Sequence, residues 1–285
     1  MSTTVQSWRP AWEPLTPRGV AAFAGASFGR LFLAQLLVAM LAAAAVAGFL
    51  RHAWFPVVRD AVHVLPAQGK IADQKLDWRG NNPQQLAQNR FLGIGVDLHH
   101  SGQLGREAHL QIEFGGEDVR VYSLLGYEVI EYLPDWAMPF NQTVLEPRWG
   151  AWEPFILVGA ATLTVVTLFV SWSLLATLYW LPVKLITFFE NRDLSWTQSW
   201  RLASASMMPG ALFLTAGIVA YTFNVMDLIR FGAVYGLHFV VSWIYLIVAP
   251  LFCPRATETK TLANPFTGST QTAPTPATDK SPDKN

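Results

Sequence analysis

Charged residues are scarce in this sequence, and they are absent from four long blocks. They make up 14% of the 285 residues, whereas soluble domains carry about a quarter. The blocks without Asp, Glu, Lys or Arg are residues 31–50, 154–183, 202–226 and 231–254. Each has at least 20 residues, enough for a helix to cross the roughly 30 Å hydrocarbon core of a bilayer. The sequence therefore predicts an integral membrane protein, with the lipid bilayer as its first partner.

Clusters of basic residues and pairs of cysteines are lacking as well. The 20 Lys and Arg residues balance the 20 Asp and Glu residues. No basic stripe provides a footprint for phosphates, so nucleic acid is excluded as a partner. Cys253 is the sole cysteine, which rules out a disulfide within the chain. Any domain outside the membrane must therefore be held together by its own core.

Motifs of nucleotide chemistry are missing too. No Gly-x-x-x-x-Gly-Lys loop is present, and Gly93 and Gly95 alone indicate strand geometry rather than a phosphate-binding turn. The titratable residues show no pattern that makes them converge. We therefore assign no catalytic, cofactor-binding or metal-binding residue and expect no cofactor, and a non-enzymatic role is favoured.

The uncharged blocks divide the chain into eight segments. These are 1–29, a cytoplasmic segment with a candidate interfacial helix; 30–51, transmembrane helix 1; 52–152, an extracytoplasmic β-rich domain; 153–183, transmembrane helix 2; 184–204, a cytoplasmic loop; 205–226, transmembrane helix 3; 232–252, transmembrane helix 4; and 253–285, a disordered cytoplasmic tail. Thr16 is a suitable N-cap and Pro17 a suitable first residue for the interfacial helix. The first block is treated as an uncleaved helix, because its flank of about thirty residues is long for a signal peptide.

Residues 52–152 contain more than half of the acidic residues and carry strand patterns. Leu110, Ile112 and Phe114 alternate with Gln111 and Glu113, which is the period of a strand. The two glycines at 115 and 116 predict a turn. We therefore expect a hairpin over 109–123, with the three apolar side chains inward and Gln111 and Glu113 outward.

Weaker patterns complete the predicted domain. Residues 71–78, 91–98 and 127–132 are further candidate strands, and 83–89 is predicted as a short helical turn. The aromatic and proline residues of 133–152 predict a segment that lies along the bilayer surface. The expected fold class is a four-helix transmembrane bundle with an inserted small antiparallel β-rich extracytoplasmic domain.

Basic residues near the ends of the spans set the expected orientation. Seven lie on one side and four on the other: Arg18, Arg30, Lys184, Arg192, Arg201, Arg255 and Lys260 against Arg51, Arg59, Arg148 and Arg230. This excess predicts that both termini are cytoplasmic and that residues 52–152 lie outside.

Two stretches resemble a known family. Residues 194–203, with Met208 and Pro209, resemble the loop before the penultimate span in a bacterial membrane-protein family of unknown function, itself loosely similar to the Yip-type membrane proteins. Residues 69–78 and 91–97 resemble the start of the extracytoplasmic domain that this family places after its first span. The resemblance covers most of residues 30–252. It implies a multi-pass protein of the bacterial inner membrane and implies no chemistry.

Four residues are weak candidates for a site: Asp97, His99, His109 and His238. Asp and His ligate zinc, but strand alternation aims His99 and its neighbour His100 to opposite faces, so solvated or structural roles are favoured. His238 is the ionisable side chain near the middle of a span and is a functional candidate for that reason. The favoured interpretation is a structural histidine that faces other helices, with Ser242 on the contact stripe.

Three functions remain open. The leading one is a binding, sensing or scaffolding component that uses the extracytoplasmic domain, with another membrane or envelope protein as a candidate partner. The alternative is an accessory subunit of a membrane transport system, and the third is a membrane-associated enzyme.

Overall fold

The computed structural model describes residues 12–255, so the tail predicted from 256 onward and residues 1–11 lie outside the described residues. Within the described range, four helical segments are long and apolar enough to cross a membrane. They are Phe28–Val64, Gln142–Phe189, Trp196–Thr222 and Leu228–Phe252. Four possible spans and a β-sheet region between the first and second indicate a membrane protein with a polar domain, as the sequence predicts.

Seven α-helices make up these segments and their flanks in the described range. They are α1 (Pro17–Ala22), α2 (Phe28–Phe49), α3 (Phe55–Val64), α4 (Gln142–Phe189), α5 (Trp196–Ala205), α6 (Met207–Thr222) and α7 (Leu228–Val248). A π-helical turn, Leu50–Trp54, joins α2 to α3 without a break, and 3₁₀ turns follow α1 and α7.

Side-chain caps fix where most of these helices begin. The hydroxyl of Thr16 accepts from Gly19 N at 3.0 Å, with Pro17 at the first helical position. Ser195 and Gln198 form a complete capping box before α5. The side chains of Asn141 and Asp227 cap α4 and α7, each by accepting a hydrogen bond from a backbone N–H in the first turn. These oxygens satisfy backbone donors that have no partner within the helix.

Small and polar side chains bring the helices together. A Cβ on Gly210 of α6 would collide with Ser242 Oγ and the carbonyl of His238 on α7, so this crossing requires glycine. Gln35 of α2 donates to Ser204 Oγ of α5 at 2.8 Å, and both residues are buried. Small residues permit such close approach, and the amide of Gln35 finds a partner within the core.

The segment before α2 contains the short helix α1 and packs against the other helices. Val20 and Phe23 have no exposed surface. The guanidinium of Arg201 donates to the carbonyl of Ala26, and Tyr245 OH donates to Leu15 O at 2.5 Å. The N-terminal segment, the start of α5 and the end of α7 therefore share one end of the helices, opposite the sheets.

Between residues 12 and 255, eight strands form two sheets. They are β1 (Lys70–Ala72), β2 (Lys75–Asp77), β3 (Gln84–Gln88), β4 (Leu92–Val96), β5 (Leu110–Phe114), β6 (Asp118–Ser123), β7 (Gly126–Glu131) and β8 (Met138–Pro139). The orders are β2-β1-β8 and β3-β4-β5-β6-β7. The hairpin expected over 109–123 is confirmed, because Phe114 pairs with Val119 and Leu110 with Ser123.

Three expectations about this domain are wrong. The helical turn expected over 83–89 is β3, an edge strand paired with β4. The larger sheet is mixed rather than antiparallel, because β4 and β5 are parallel. A parallel pair needs a crossover connection, and residues 97–109 supply it. Finally, residues 142–152 do not run as a separate surface segment but form the first turns of α4.

The expected outward position of Gln111 and Glu113 is also wrong, because each is 1% exposed. The crossover covers this face of the sheet: a Cβ at Gly95 would meet Leu104 at 2.8 Å, and one at Gly93 would meet Gln111 and Ala108. The opposite face, with Ile112 and Phe114, is partly exposed and packs toward α3. Alternation separates the two faces but does not identify which one a loop will cover.

Candidate functional site

His100 sits between two carboxylates on the covered face of the sheet. Its Nδ1 lies 2.5 Å from Glu113 Oε1, and its Nε2 contacts Asp118 Oδ1. His100 thus gives the buried carboxylate of Glu113 a hydrogen-bond partner. Arg120 Nε lies 3.6 Å from the second oxygen of Asp118 and has no hydrogen-bond partner among the described residues. The cluster joins two carboxylates to one histidine and one arginine, which is the pattern of a structural network.

Asp97 and His99, both weak candidates, lie beside this network but do not join it. Asp97 accepts from Ser101 Oγ at 2.7 Å and from His99 N at 3.2 Å, and so closes the turn after β4. Burial alone would raise the pKa of Asp97, but these hydrogen bonds outweigh it and lower the pKa. His99 is exposed. Within residues 12–255, no three His, Cys, Asp or Glu side chains are placed to hold a metal ion.

His109 makes a direct connection between the sheet and the membrane helices. Its Nδ1 lies 2.5 Å from the hydroxyl of Tyr221, and the two rings stack at 5.7 Å. Phe91 packs edge-on against Tyr221 at 5.0 Å, and Phe49 of α2 stacks on Tyr221 at 5.7 Å. We call His109, Phe91, Arg90, Tyr221 and Asn224 the junction.

Polar contacts complete the junction. Arg90 donates to Asn224 Oδ1 at 3.2 Å and to Met226 O at 3.1 Å, in the turn between α6 and α7. Asn89 donates to Ala53 O at 2.6 Å, in the π-helical turn after α2. Burial lowers the pKa of His109, and the positive charge of Arg90 lowers it further. The uncharged imidazole is thus favoured at this contact.

The last weak candidate, His238, stays on its own helix. Its Nδ1 contacts the carbonyl of Tyr235, and its ring lies 3.8 Å from the ring of Phe239. The contact with α6 is made by the backbone carbonyl of His238 and by buried Ser242, which face Gly210. Asp97 and His99 thus share one turn, while His109 and His238 lie elsewhere, so the four candidates do not form one site.

A cavity of about 320 Å³ lies between the sheet and two helices. Its helical walls are α3 and the first turns of α4, over residues 142–155. We call these two helical pieces together the stalk, and the cavity the stalk pocket. Among the described lining residues, Arg148 alone carries a charge. Its lining is Val58, Ala61, Val62, Leu65, Leu86, Ile94, Phe114, Phe140, Leu145, Arg148, Trp149 and Trp152. This size lies within the range of about 300–1,000 Å³ typical of ligand sites.

The stalk pocket has an unused donor in its lining. The indole N–H of Trp149 is buried and has no hydrogen-bond partner among the described residues. A buried polar group without a partner costs about 1–3 kcal/mol. Two side-chain contacts join the helices of the stalk beside it: an ion pair of Arg59 with Glu153 at 2.8 Å, and a contact of His63 with Glu146 at 3.3 Å. The pocket is therefore an apolar space between two linked helices, with one charged residue, Arg148, in its lining.

A Gly-x-Ser-x-Gly string at residues 25–29 has a structural explanation. Ser27 is the N-cap of α2, accepting from Arg30 N at 3.3 Å. A 3₁₀ turn precedes it, whereas a nucleophile elbow joins a strand to a helix. Ser27 is thus a cap.

Sequence reasoning missed the stalk pocket. Val58, Ala61, Val62 and Leu65 follow the i, i+3, i+4, i+7 spacing of an amphipathic helix, and this pattern could have identified the α3 wall. Trp149 and Trp152, which the sequence pattern predicts only as part of a surface segment, also line the pocket.

No protein-family model, curated protein or solved structure matches the chain. What the protein does must therefore be inferred from its own residues.

Proposed function

We propose that this chain is a membrane sensor that binds an amphiphilic molecule in the stalk pocket and transmits occupancy to its membrane helices. One observation carries the proposal: the pocket walls are continuations of two possible spans. α3 is joined to α2 by the turn Leu50–Trp54, and α4 is a single helix of 48 residues. A ligand that separates α3 from α4 therefore acts directly on both spans.

The lining specifies the ligand's chemistry. Its apolar surface suits a hydrocarbon chain, and the charge of Arg148 suits an anionic head group. A fatty acid or a single-chain lipid combines these two properties. Such molecules partition into bilayers, where a pocket built on spanning helices meets them.

The junction supplies the second half of the proposal. Residues 89–91 and His109 contact both the α2 end and the turn after α6. A sheet displaced by a ligand would therefore also pull on α2 and α6. This favours a binding and sensing role over an enzyme, in agreement with the leading expectation from the sequence.

The placement of the chain is part of the proposal. The helices form a four-helix bundle in the bacterial inner membrane, the sheets lie outside the cytoplasm, and both termini lie inside. The seven-to-four excess of basic residues supports this orientation. The even number of possible spans supports placing both termini on one side. The contact between Tyr245, near the end of α7, and Leu15 of the N-terminal segment supports it as well.

A photoreactive fatty acid tests the pocket. The full chain in lipid nanodiscs is irradiated with a palmitic acid that carries a diazirine at its distal end, and the cross-linked residues are mapped by mass spectrometry. We expect adducts on α3 and on the first turns of α4, because these line the cavity.

Two tryptophan substitutions on α3 form the matched pair. Ala61→Trp fills the cavity from a buried lining position, whereas Val64→Trp places the same ring on an exposed position of the same helix. Ala61→Trp should abolish the pocket adducts and Val64→Trp should retain them. Adducts confined to the lipid-facing helices in all three proteins would refute the proposal.

A further inference from the structure

The turn between β6 and β7 consists of two leucines. Ser123 pairs with Gly126 across the hairpin, so Leu124 and Leu125 are the two central residues of the turn. Their exposed fractions are 68% and 97%. Two-residue hairpin turns favour Asn, Asp and Gly, because the primed turn types need positive φ at their central positions. Turn geometry therefore gives no reason for leucine here, and both large apolar side chains are exposed.

The strand register places this turn at the membrane end of the sheet. Leu110 pairs with Ser123 across β5 and β6, so Leu124 lies level with His109, one strand away. His109 bonds to Tyr221, in the last turn of α6 and of a possible span. Glu117 lies at the opposite end of β6, in the turn between β5 and β6, and its side chain is exposed.

The residues beside the turn have interfacial chemistry. The rings of Tyr122 and Tyr127 pack at 5.5 Å across the hairpin, directly above the leucines. The guanidinium of Arg106 lies 4.1 Å from the centre of the Tyr122 ring. Tyrosine is enriched where membranes meet water, and arginine keeps its charge in water while its stem covers apolar surface. Leucines at the tip with tyrosines and arginine above them form a graded series from apolar to polar.

We propose that Leu124 and Leu125 insert into the bilayer that the helices cross. The sheet is then held at two places, at the junction near α6 and at this turn on the side of β7. β7 is an edge strand with every residue exposed, and membrane contact at its first residues keeps that edge close to the lipid surface. The inserted partner is a lipid surface and not a protein, because the turn lies level with the end of a spanning helix.

A fluorescent probe in nanodiscs tests the insertion. On a Cys253→Ala background, Leu125→Cys and Glu117→Cys are each labelled with an environment-sensitive nitrobenzoxadiazole maleimide in the full chain. The probe at 125 should be quenched by lipids with a doxyl group near the head and protected from aqueous iodide. The probe at 117, on the far turn, should show the reverse.

A second variant separates insertion by the turn from attraction of the label to lipid. Adding Leu124→Asp to Leu125→Cys should return the probe to iodide access, because a carboxylate in the hydrocarbon is unfavourable. Equal iodide quenching at 125 and 117 in the first experiment would overturn the proposal. Protection from iodide without quenching by doxyl lipids would overturn it too, and would assign the turn to a second copy or another protein.

Discussion

The hydroxyl of Tyr221, in the last turn of a possible span, lies 2.5 Å from Nδ1 of His109, which leads into a strand of the polar domain. The two residues are 112 positions apart in the chain. Their contact fixes the sheet against the membrane helices, and it is therefore the first place to test coupling between them.

Removing this hydrogen bond should loosen the domain. Tyr221→Phe keeps the stacked rings and deletes the hydroxyl, so we expect a loss of about 0.5–1.5 kcal/mol, seen as a lower melting temperature in detergent and faster amide exchange over residues 89–92. Tyr235→Phe on α7, whose side chain is exposed, is the control. Unchanged exchange at residues 89–92 in Tyr221→Phe would show that the bond contributes nothing to the junction.

The junction should weaken in acid. The pKa of His109 is lowered in the folded protein, from an ordinary value of 6.5, by burial and by Arg90, with Asp227 opposing them. Below about pH 6.5 the unfolded chain binds more protons at this site, so the stability it contributes is complete above that pH and is lost as the pH falls. Melting temperatures of the natural protein and His109→Asn should therefore converge between pH 7 and pH 5. A gap that stays constant over this range would contradict the assignment to His109.

Deleting the central histidine of the buried network should be costly. His100→Ala leaves the carboxylate of Glu113 buried without its partner, and breaking such a pair costs about 3–5 kcal/mol. His99→Ala removes an exposed neighbour and should change stability by less than about 0.5 kcal/mol. Equal melting temperatures for the two variants would mean that Glu113 is not held by His100.

The crossing of α6 and α7 should not tolerate a methyl group. In Gly210→Ala the new Cβ collides with the carbonyl of His238 and with Ser242, and forced overpacking costs about 1–3 kcal/mol. Gly236→Ala on α7 meets open space and should be neutral or slightly stabilising, because alanine favours helix. Thermal unfolding in one detergent compares the two, and a stable Gly210→Ala protein would show that the helices cross elsewhere.

The proposed orientation is decided by cysteine labelling. On a Cys253→Ala background, Glu117→Cys lies on the far turn of the sheet and Glu190→Cys at the end of α4, and both side chains are exposed. A membrane-impermeant maleimide added to intact cells should label residue 117 and not residue 190. Labelling of 190 alone would place the sheets in the cytoplasm.

Local features of the fold followed from the sequence. Thr16 caps a helix as expected, and the turn after Phe114 lies where two glycines predicted it. Each depends on neighbouring residues: a hydroxyl three positions before a backbone donor, or glycines between two alternating runs. Uncharged blocks likewise reveal possible spans, because hydrocarbon excludes charge wherever the rest of the chain lies.

The wrong expectations all depend on distant residues. Gln111 and Glu113 are buried because a crossover from Asp97 to His109 covers their face. The network of His100 needs Asp118, eighteen positions away, and the stalk pocket needs α3 beside α4, about ninety positions apart. The spacing of residues along the chain does not show which distant segments will meet. The site could therefore be recognised only from the structure.

α4 is one helix that connects the stalk pocket to the far end of the second possible span. Its 48 residues extend about 70 Å at 1.5 Å per residue, and Pro154 removes a hydrogen bond about 18 Å from its start. Bending concentrates where such a bond is missing. The short arm above Pro154 carries Leu145, Trp149 and Trp152, while the long arm runs through the apolar block. A sideways push on the short arm at Trp149 therefore reaches the long arm through Pro154, the position where the helix lacks one backbone hydrogen bond.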